Sequence, residues 1–339
     1  MAIKKKTAAV IGGIAAVAVI GGAIAWGVSA SAANNAVTAA NEKTAAPASD
    51  VVKFDLTTGN LEERPRIDPV PEAVAALEAS GFTPVEAGKL TVVSGAFTPP
   101  LSFLAEDDNA TLLGSEPDFG QLIADGLGLE LKNENVAWAD WPLGIQSGKY
   151  DLILSNVTVT DERKELYDFA SYRQDLLGFY VKADSSIDTI EKAADVAGLK
   201  VIVGSGTNQE KILQAWDEEN IAAGLDPVEY LYFDDTASGA LALKSGRADA
   251  NFGPNATSAY AAAVDGETKL VGTVNGGWPL TADIAAATAK GNGLIESVGI
   301  VLDSAIEGGE YAEVLERWGL TSESLETSEI NPPGLPKSE

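Results

Sequence analysis

The sequence predicts an α/β protein with open, mostly parallel sheets and helices on both faces. Two observations lead to this fold class. Short apolar runs that are typical of buried strands alternate with amphipathic helical segments, and the connections between them are short. The chain has 339 residues, of which 45% are hydrophobic, so it can bury the core of one large domain or two medium domains.

The first strand and helix signals lie between residues 90 and 154. Residues 90–93 (LTVV) and 151–154 (DLIL) are apolar runs of strand length. Residues 117–127 (PDFGQLIADGL) have the spacing of an amphipathic helix. The apolar residues that share its face are Phe119, Leu122, Ile123 and Leu127.

A second alternating set begins at residue 200. Residues 200–203 and 228–232 are predicted strands, and residues 208–220 and 237–245 are predicted helices. Ligands of open α/β sheets bind beyond the carboxyl ends of the strands. We therefore expect the binding site in the loops that follow these strands. No internal repeat is present.

Three segments precede this body. Residues 1–32 carry Lys4, Lys5 and Lys6, then a long apolar run that ends in Ala-Ser-Ala, as in an export signal peptide. The run is also long enough for an uncleaved membrane anchor, which is the alternative. Residues 33–50 are a predicted flexible linker. Residues 51–88 are a predicted docked pre-segment with a short helix at 70–79.

Composition excludes several classes of function. The formal net charge is −27, which is unsuited to binding a nucleic acid backbone. The chain has no His and no Cys, so it can form no disulfide, thiolate or imidazole metal site, nor a Ser-His-Asp triad. An EF-hand loop starting at Asp107 would need Gly where Leu112 stands. We expect no metal, no cofactor and no catalytic residue, which favours a binding protein.

The loop at 205–210 has the features of an anion site. Gly206 permits a tight turn, and Thr207 with Glu210 forms a capping box that opens the next helix. Free backbone N–H groups and the positive end of the helix dipole would bind a carboxylate. An ordinary strand–helix turn is the alternative.

A second loop, residues 156–163, follows the strand at 151–154. It brings a threonine hydroxyl and Arg163 to the same end of the sheet. An arginine can hold a carboxylate through two parallel hydrogen bonds, although a lone arginine can also be a solvated surface residue. Trp138 and Trp141 lie near the same mouth, where either ring could belong to the core or pack on a small ligand.

Several motifs in sequence order resemble the family 3 solute-binding proteins of bacterial ABC importers, whose usual ligands are polar amino acids. The resemblance covers residues 89 to about 320. The motifs are residues 147–151 (SGKYD), 158–163 (TVTDER), 168–172 (DFASY), 195–207 (DVAGLKVIVGSGT), 246–250 (GRADA) and 311–320 (YAEVLERWGL).

The resemblance implies a type 2 periplasmic-binding-protein fold with two α/β lobes that close on a ligand. Each lobe would hold an open mixed sheet flanked by helices, and two hinge crossings would join the lobes. Lobe 1 would comprise residues 89–181 and 276–320, lobe 2 residues 182–275, and a tail residues 321–339.

The resemblance also implies roles for individual residues. Arg163 would bind the ligand's α-carboxylate with help from the N–H and hydroxyl of Thr207. Thr158 and the backbone of Asn156 would meet the α-amino group. Trp138, rather than Trp141, would pack on the ligand.

Two departures from the family pattern concern the ligand. Many members have an Asp just after the first strand, where this chain has Gly95. The acid that usually pairs with the α-ammonium falls near Pro254, and a buried ammonium without a counter-charge is unfavourable. Either Asn255 or another acid would replace it, or the ligand is not an ordinary α-amino acid.

The sequence therefore predicts an exported bacterial protein that captures a small amino acid or related carboxylate. It would deliver this ligand to an ABC transporter permease and act as a monomer. Its only membrane association would be through the N-terminal segment or the permease. Two alternatives are an enzyme resembling the periplasmic cyclohexadienyl dehydratases and a membrane-anchored ligand-sensing domain. The dehydratase would need a cleft acid with a raised pKa, and the loops after the strands are predicted to be poor in acids.

Overall fold

A computed structural model of the chain describes residues 54–95, 98–233 and 235–337. The expected export segment at 1–32 and the expected linker at 33–50 lie outside these residues. Within the described ranges, no helix has both the length and the apolar character needed to cross a bilayer.

The first lobe is built on a five-stranded mixed sheet in the order β4-β1-β5-β12-β6. β1 pairs in parallel with β4 and β5, whereas β12 pairs antiparallel with β5 and β6. A small hairpin, β2–β3, lies beside it. The strands are β1 (Lys89–Ser94), β2 (Phe103–Leu104), β3 (Leu112–Leu113), β4 (Glu130–Asn135), β5 (Leu152–Ile153), β6 (Tyr167–Gln174) and β12 (Asp283–Ala289).

Helices of the first lobe pack on this sheet around a core that includes Phe119, Tyr172 and Trp318. The first helix starts with a proline, which needs no N–H partner there, and Gly81 ends it at φ 74°. The helices are α1 (Pro71–Ser80), α2 (Ser115–Gly126), α3 (Trp141–Gln146), α7 (Ile295–Gly308) and α8 (Glu310–Arg317).

The second lobe repeats the plan with a sheet in the order β11-β7-β10-β8-β9. Its strands are β7 (Leu176–Lys182), β8 (Lys200–Ile202), β9 (Glu229–Leu231), β10 (Ala250–Pro254) and β11 (Thr268–Asn275). Its helices are α4 (Asn208–Ala222), α5 (Thr236–Lys244) and α6 (Asn255–Asp265). In each sheet two pairings are parallel and two antiparallel, so "mostly parallel" is corrected to mixed.

The chain crosses from the first lobe to the second at Asp175. β6 ends at Gln174 in the first sheet, and β7 begins at Leu176 in the second. The predicted boundary at 181/182 was therefore wrong, because β7 pairs with β10 and β11 rather than with any strand of the first sheet. The chain returns between Asn275 and Asp283.

The two crossings are hydrogen-bonded to each other. The Asp175 N–H donates to Ala282 O at 3.2 Å, and the Gly276 N–H donates to Asp175 O at 3.1 Å. A Cβ atom on Gly276 would overlap the Asp175 carboxylate, so only glycine allows this close approach. The crossings therefore form one joint.

The pre-segment is docked on the first lobe and also touches the second. Arg64 pairs with the buried Asp118 at 2.6 Å. The Phe54 ring lies 5.1 Å from that of Trp318 in the first lobe and 5.1 Å from that of Tyr260 on α6 of the second lobe. Residues 54–63 therefore connect the lobes at a point other than the hinge.

The C-terminal tail covers the edge of β6, the outermost strand of the first sheet. The Ser171 N–H donates to Glu329 O at 3.0 Å, and the Asn331 N–H donates to Phe169 O at 2.9 Å. Leu335 is buried against residues of the second lobe. The tail thus pairs with an otherwise open sheet edge and then reaches the second lobe.

A buried charge cluster ties the tail to β6. Arg173 is 1% exposed and pairs with Glu116 at the start of α2, at 3.0 Å, and with Glu323 in the tail. Arg173 also donates to Asn156 Oδ1 at 2.6 Å. Burial opposes the ionised form of Glu323 and raises its pKa, while the Arg173 charge lowers it.

We expect Arg173→Met to lower the free energy of unfolding by about 3–5 kcal/mol, because it leaves two carboxylates buried without a cation. Denaturant unfolding followed by circular dichroism measures this change. Lys132→Met is the matched control, since Lys132 pairs with two acids, Glu86 and Glu134, at the solvent-exposed surface. A loss no larger than that of the control would contradict the role given to Arg173.

Candidate functional site

Arg163 lies where the two lobes face each other. It begins a short 3-10 helix, Arg163–Glu165, after the strand-like segment that contains Thr158. Its Nη1 donates to Thr158 O at 2.9 Å in the first lobe, and its Nη2 donates to Gly206 O at 3.4 Å in the second. The guanidinium therefore contacts both walls of the cleft.

The charge of Arg163 is not neutralised by an ion pair within the described ranges. Its hydrogen-bond partners are backbone carbonyls, and its Cζ lies 5.4 Å from the centre of the Trp138 ring. Removal from water lowers the pKa of Arg163 to about 10, although the Asp175 carboxylate opposes this shift. An arginine in this setting is suited to an anionic ligand.

Trp138 and Trp141 differ in exposure. Trp141 is 2% exposed and packs with Tyr167 in a core cluster under the site. Trp138 is half-buried and meets Trp141 edge to face at 5.9 Å. Only Trp138 thus has a ring surface left for a ligand.

Thr207 caps the helix that points its N-terminus at the cleft. Its hydroxyl accepts from the Glu210 N–H at 3.3 Å and donates to Gly204 O at 2.6 Å. The Glu210 side chain accepts from the Gly206 N–H at 2.6 Å, which completes the cap one residue earlier than in a standard capping box. The Thr207 hydroxyl therefore stabilises the turn, and Gly206 has the positive φ (71°) that the turn needs.

Thr158 is buried and joined to Asp175. The Thr158 hydroxyl donates to Asp175 Oδ2 at 2.6 Å. Asn208, the first residue of α4, donates to the same oxygen at 3.0 Å through Nδ2. A carboxylate outside the predicted site residues thus lies between the lobes and accepts hydrogen bonds from both.

Asn156 and Asn255 are not hydrogen-bonded to Arg163. The Asn156 N–H donates to Glu116 Oε2 at 3.1 Å, and its side chain accepts from Arg173. The Asn255 Oδ1 accepts from Tyr180 OH at 2.9 Å within the second lobe. Asn156 therefore belongs to the charge cluster beneath the cleft, whereas Asn255 is held by β7.

Buried acids lie near the cleft, although not in the loops after the strands that were predicted to be poor in acids. Asp175, Glu116 and Glu323 are all buried there, and they come from the hinge, from a helix start and from the tail rather than from the loops after strands. One signal in the sequence could have revealed Asp175: residues 173–175 (RQD) are polar, and the apolar segment 176–181 follows them. In the described part of the chain, no three acidic residues converge as a metal site would require.

The family profile of the bacterial extracellular solute-binding proteins, family 3, matches residues 90–321, which is more than half of the chain. This match confirms the resemblance that the motifs predicted. It begins at β1 and ends in the short 3-10 helix Thr321–Glu323, so it includes both lobes and both crossings.

Two relatives of known function are similar over different lengths. The L-cystine-binding protein TcyJ of Escherichia coli is 34% identical over 166 residues, which are 49% of this chain and 58% of TcyJ. The chain thus spans little more than half the length of that relative. The arginine-binding protein ArgT of Corynebacterium glutamicum is 26% identical over 272 residues, 78% of this chain and 84% of ArgT.

The solved structure of an ancestral arginine-binding protein bound to arginine superimposes with a TM-score of 0.60 at 29% identity. The match covers 68% of this chain and 98% of that structure, and it confirms the predicted two-lobed fold class. With the profile match, the architecture and the motifs in agreement, the chain belongs to the bacterial extracellular solute-binding proteins, family 3.

Proposed function

We propose that this protein binds a small polar amino acid between its two lobes and delivers it to an ABC transporter permease. The observation that carries the proposal is Arg163, which contacts a carbonyl of each lobe and has no ion-pair partner among the described residues. A ligand carboxylate could replace either carbonyl as the acceptor of these N–H groups. The names of the relatives, which bind cystine or arginine, support an amino acid as the ligand.

A carboxylate at Arg163 would lie near two further favourable features. The N-terminus of α4 begins at Asn208 next to Gly206, where the helix dipole favours negative charge. The Trp138 ring lies 5.4 Å from the guanidinium carbon and offers an apolar surface. Because the contacts come from both lobes, a ligand gains all of them only when the cleft is closed, and binding therefore favours closure.

The named relatives favour binding without turnover, since TcyJ and ArgT are both binding proteins. A dehydratase of the kind considered would need a cleft acid with a raised pKa. Burial raises the pKa of Asp175 to about 6, but the Thr158 hydroxyl and the Asn208 amide both donate to its Oδ2 and oppose this shift. We infer that the protein is a receptor rather than an enzyme.

We also propose that the protein is exported and works at the outer side of the membrane as a monomer. The Lys-rich start and apolar run of residues 1–32 support export. The absence of cysteine permits the fold to form without disulfides in that compartment.

A thermal-shift screen of the exported fragment tests the proposed function. The panel holds the twenty common L-amino acids, L-cystine, and the dehydratase substrates prephenate and arogenate. We expect at least one amino acid to raise the melting temperature, since a ligand that binds only the folded state stabilises it. No shift with any amino acid would overturn the proposal, and consumption of prephenate or arogenate would establish the enzyme instead.

Arg163→Lys should weaken binding of the amino acid found in the screen by about 1–2 kcal/mol, because a point charge replaces a planar fork with two parallel donors. Isothermal titration calorimetry measures the change. Arg247→Lys is the matched control, since Arg247 is exposed on the second lobe and away from Arg163. Equal affinity of both variants would remove Arg163 from the site.

Trp138→Ala should reduce ligand affinity, whereas Trp141→Ala should reduce the stability of the fold. Loss of the half-buried Trp138 ring should reduce affinity by ~1–3 kcal/mol with little change in melting temperature. Loss of the buried Trp141 ring should reduce the free energy of unfolding by ~3–5 kcal/mol. Calorimetry and thermal unfolding of both variants check this pair, and a large loss of stability in the Trp138 variant would make that ring part of the core.

A further inference from the structure

We propose that Asp175, the hinge residue between β6 and β7, is the counter-ion for the ammonium group of the bound ligand. This inference rests on the proposed function and deepens it, because it assigns a second charged group to the same cleft. No acid follows β10 at Pro254, where the family pattern has one.

The position of Asp175 matches what a ligand ammonium would need. Its carboxylate is 2% exposed and lies between Thr158 of the first lobe and Asn208 of the second. Both hydrogen bonds go to Oδ2, and among the described residues Oδ1 accepts no hydrogen bond. One carboxylate oxygen is thus held in place by the protein, while the other can accept from a ligand.

Arg163 and Asp175 form a complementary pair of charges. Neither takes part in an ion pair within the described ranges, although Asp175 is buried and Arg163 is partly buried. Thr158 is hydrogen-bonded to both of them. Its carbonyl accepts from Arg163, and its hydroxyl donates to Asp175. An α-amino acid carries its own two opposite charges on adjacent positions, so its carboxylate fits Arg163 and its ammonium fits Asp175.

The other two fully buried acids of this region already share a cation. Glu116 and Glu323 both pair with Arg173, and Glu116 also accepts from Tyr172 OH. Asn255, the alternative that the sequence offered, carries no charge, and its side-chain oxygen is taken by Tyr180. Of the unpaired carboxylates of this region, only Asp175 is hydrogen-bonded from both lobes among the described residues, whereas the half-buried Asp283 is not.

The electrostatics of Asp175 agree with this assignment. Burial raises the pKa of its carboxyl to about 6, while the Thr158 hydroxyl, the Arg173 charge and the Asn208 amide oppose the shift. The carboxyl is then mostly ionised at neutral pH, yet its negative charge is poorly compensated. A ligand ammonium would compensate it, which gives binding energy that an uncharged group at this position cannot supply.

The test compares amino acids with their des-amino analogues in the full exported fragment. The probe pairs are L-arginine with 5-guanidinopentanoic acid, L-glutamine with 4-carbamoylbutanoic acid, and L-cystine with 3,3′-dithiodipropanoic acid. The same pairing is made for any other amino acid that binds in the screen. Asp175→Asn should reduce the affinity for the amino acid roughly 10- to 100-fold, as expected for a hydrogen bond between charged groups. The affinity of this variant for the des-amino acid should equal or exceed that of the wild type.

Asp283→Asn is the matched control. Burial and the nearby Glu329 and Asp175 charges raise the pKa of the Asp283 carboxyl to about 6 as well, but its side chain accepts no hydrogen bond from either lobe among the described residues. This variant should bind both members of each probe pair as the wild type does. A similar loss in the control would mean that any hinge carboxylate affects binding.

Three results would overturn the inference. Unchanged amino-acid affinity in Asp175→Asn would remove Asp175 from the site while leaving the proposed function intact. An equal loss of affinity for both members of a pair would make Asp175 a brace between the lobes. If the wild type binds no amino acid at all, the proposed function fails and this inference fails with it.

A measurement on the wild-type protein tests the inference even if Asp175→Asn does not fold. Calorimetry at pH 6 in buffers of different ionisation enthalpy gives the protons exchanged on binding. The chain has no histidine, and the charged groups that influence Asp175 are Arg163, Arg173, Asp283 and Glu323. We expect proton release with the amino acid, because its ammonium lowers the pKa of Asp175, and no release with the des-amino acid. Equal proton exchange for both ligands would overturn the inference.

Discussion

The hydrogen-bonded joint between Asp175 and the segment 276–282 is the constraint on which the rest of the molecule depends. The first lobe is assembled from two pieces of chain, since β12 returns to the first sheet after the whole second lobe, which is one continuous segment between the crossings. The first sheet therefore reaches its observed strand order only when the chain has made both crossings. The joint also lies at the bottom of the cleft, so the residue that links the lobes is within reach of the ligand-facing groups.

The packing of this joint explains why small residues are needed there. Gly276 leaves room for the Asp175 carboxylate, and Asn208 donates both to that carboxylate and to Gly276 O at 3.1 Å. Asn208, at the start of α4, therefore links the Asp175 side chain of one crossing to the Gly276 backbone of the other. A change in the angle between the lobes would alter these distances, which couples the geometry of the hinge to the geometry of the cleft.

An acidic protein with few cations uses its arginines selectively. Arg173 neutralises two buried acids, Glu116 and Glu323, whereas Arg163 is paired with none among the described residues. Burying two acids with one cation is favourable only if further donors complete the hydrogen bonding, and Tyr172 OH provides one of them to Glu116. The contrast between these two arginines separates a structural cluster from a binding group within the same region.

The segments outside the two sheets contribute to the same architecture. Residues 54–63 join the lobes through the aromatic contacts of Phe54, and the tail closes the edge of β6 and supplies Glu323. Both segments bury side chains against surfaces that the strand and helix pattern alone would leave open. Their sequences carry little periodicity, so the sequence alone did not predict which surfaces they cover.

The sequence by itself determined the α/β class, the family and the local elements with strong periodicity. α4 with its Thr207 cap and the strands β1 and β8 are found within a residue or two of their predicted bounds, because capping and apolar runs are local properties. Arg163, Thr158, Gly206 and Trp138 were named from loop position and family motifs. The structure brings these four residues together.

Tertiary structure alone decided which lobe β7 belongs to and where the buried charges meet. The pairing of β7 with β10 and β11 connects residues far apart in sequence, and a strand's own residues do not specify its neighbour. Asp175 meets Thr158 and Asn208 across 17 and 33 residues of chain, and Arg173 meets Glu323 across 150. Such contacts arise only when the sheets, the crossings and the tail pack together, because the environment that neutralises or isolates a charge is made by residues distant in sequence.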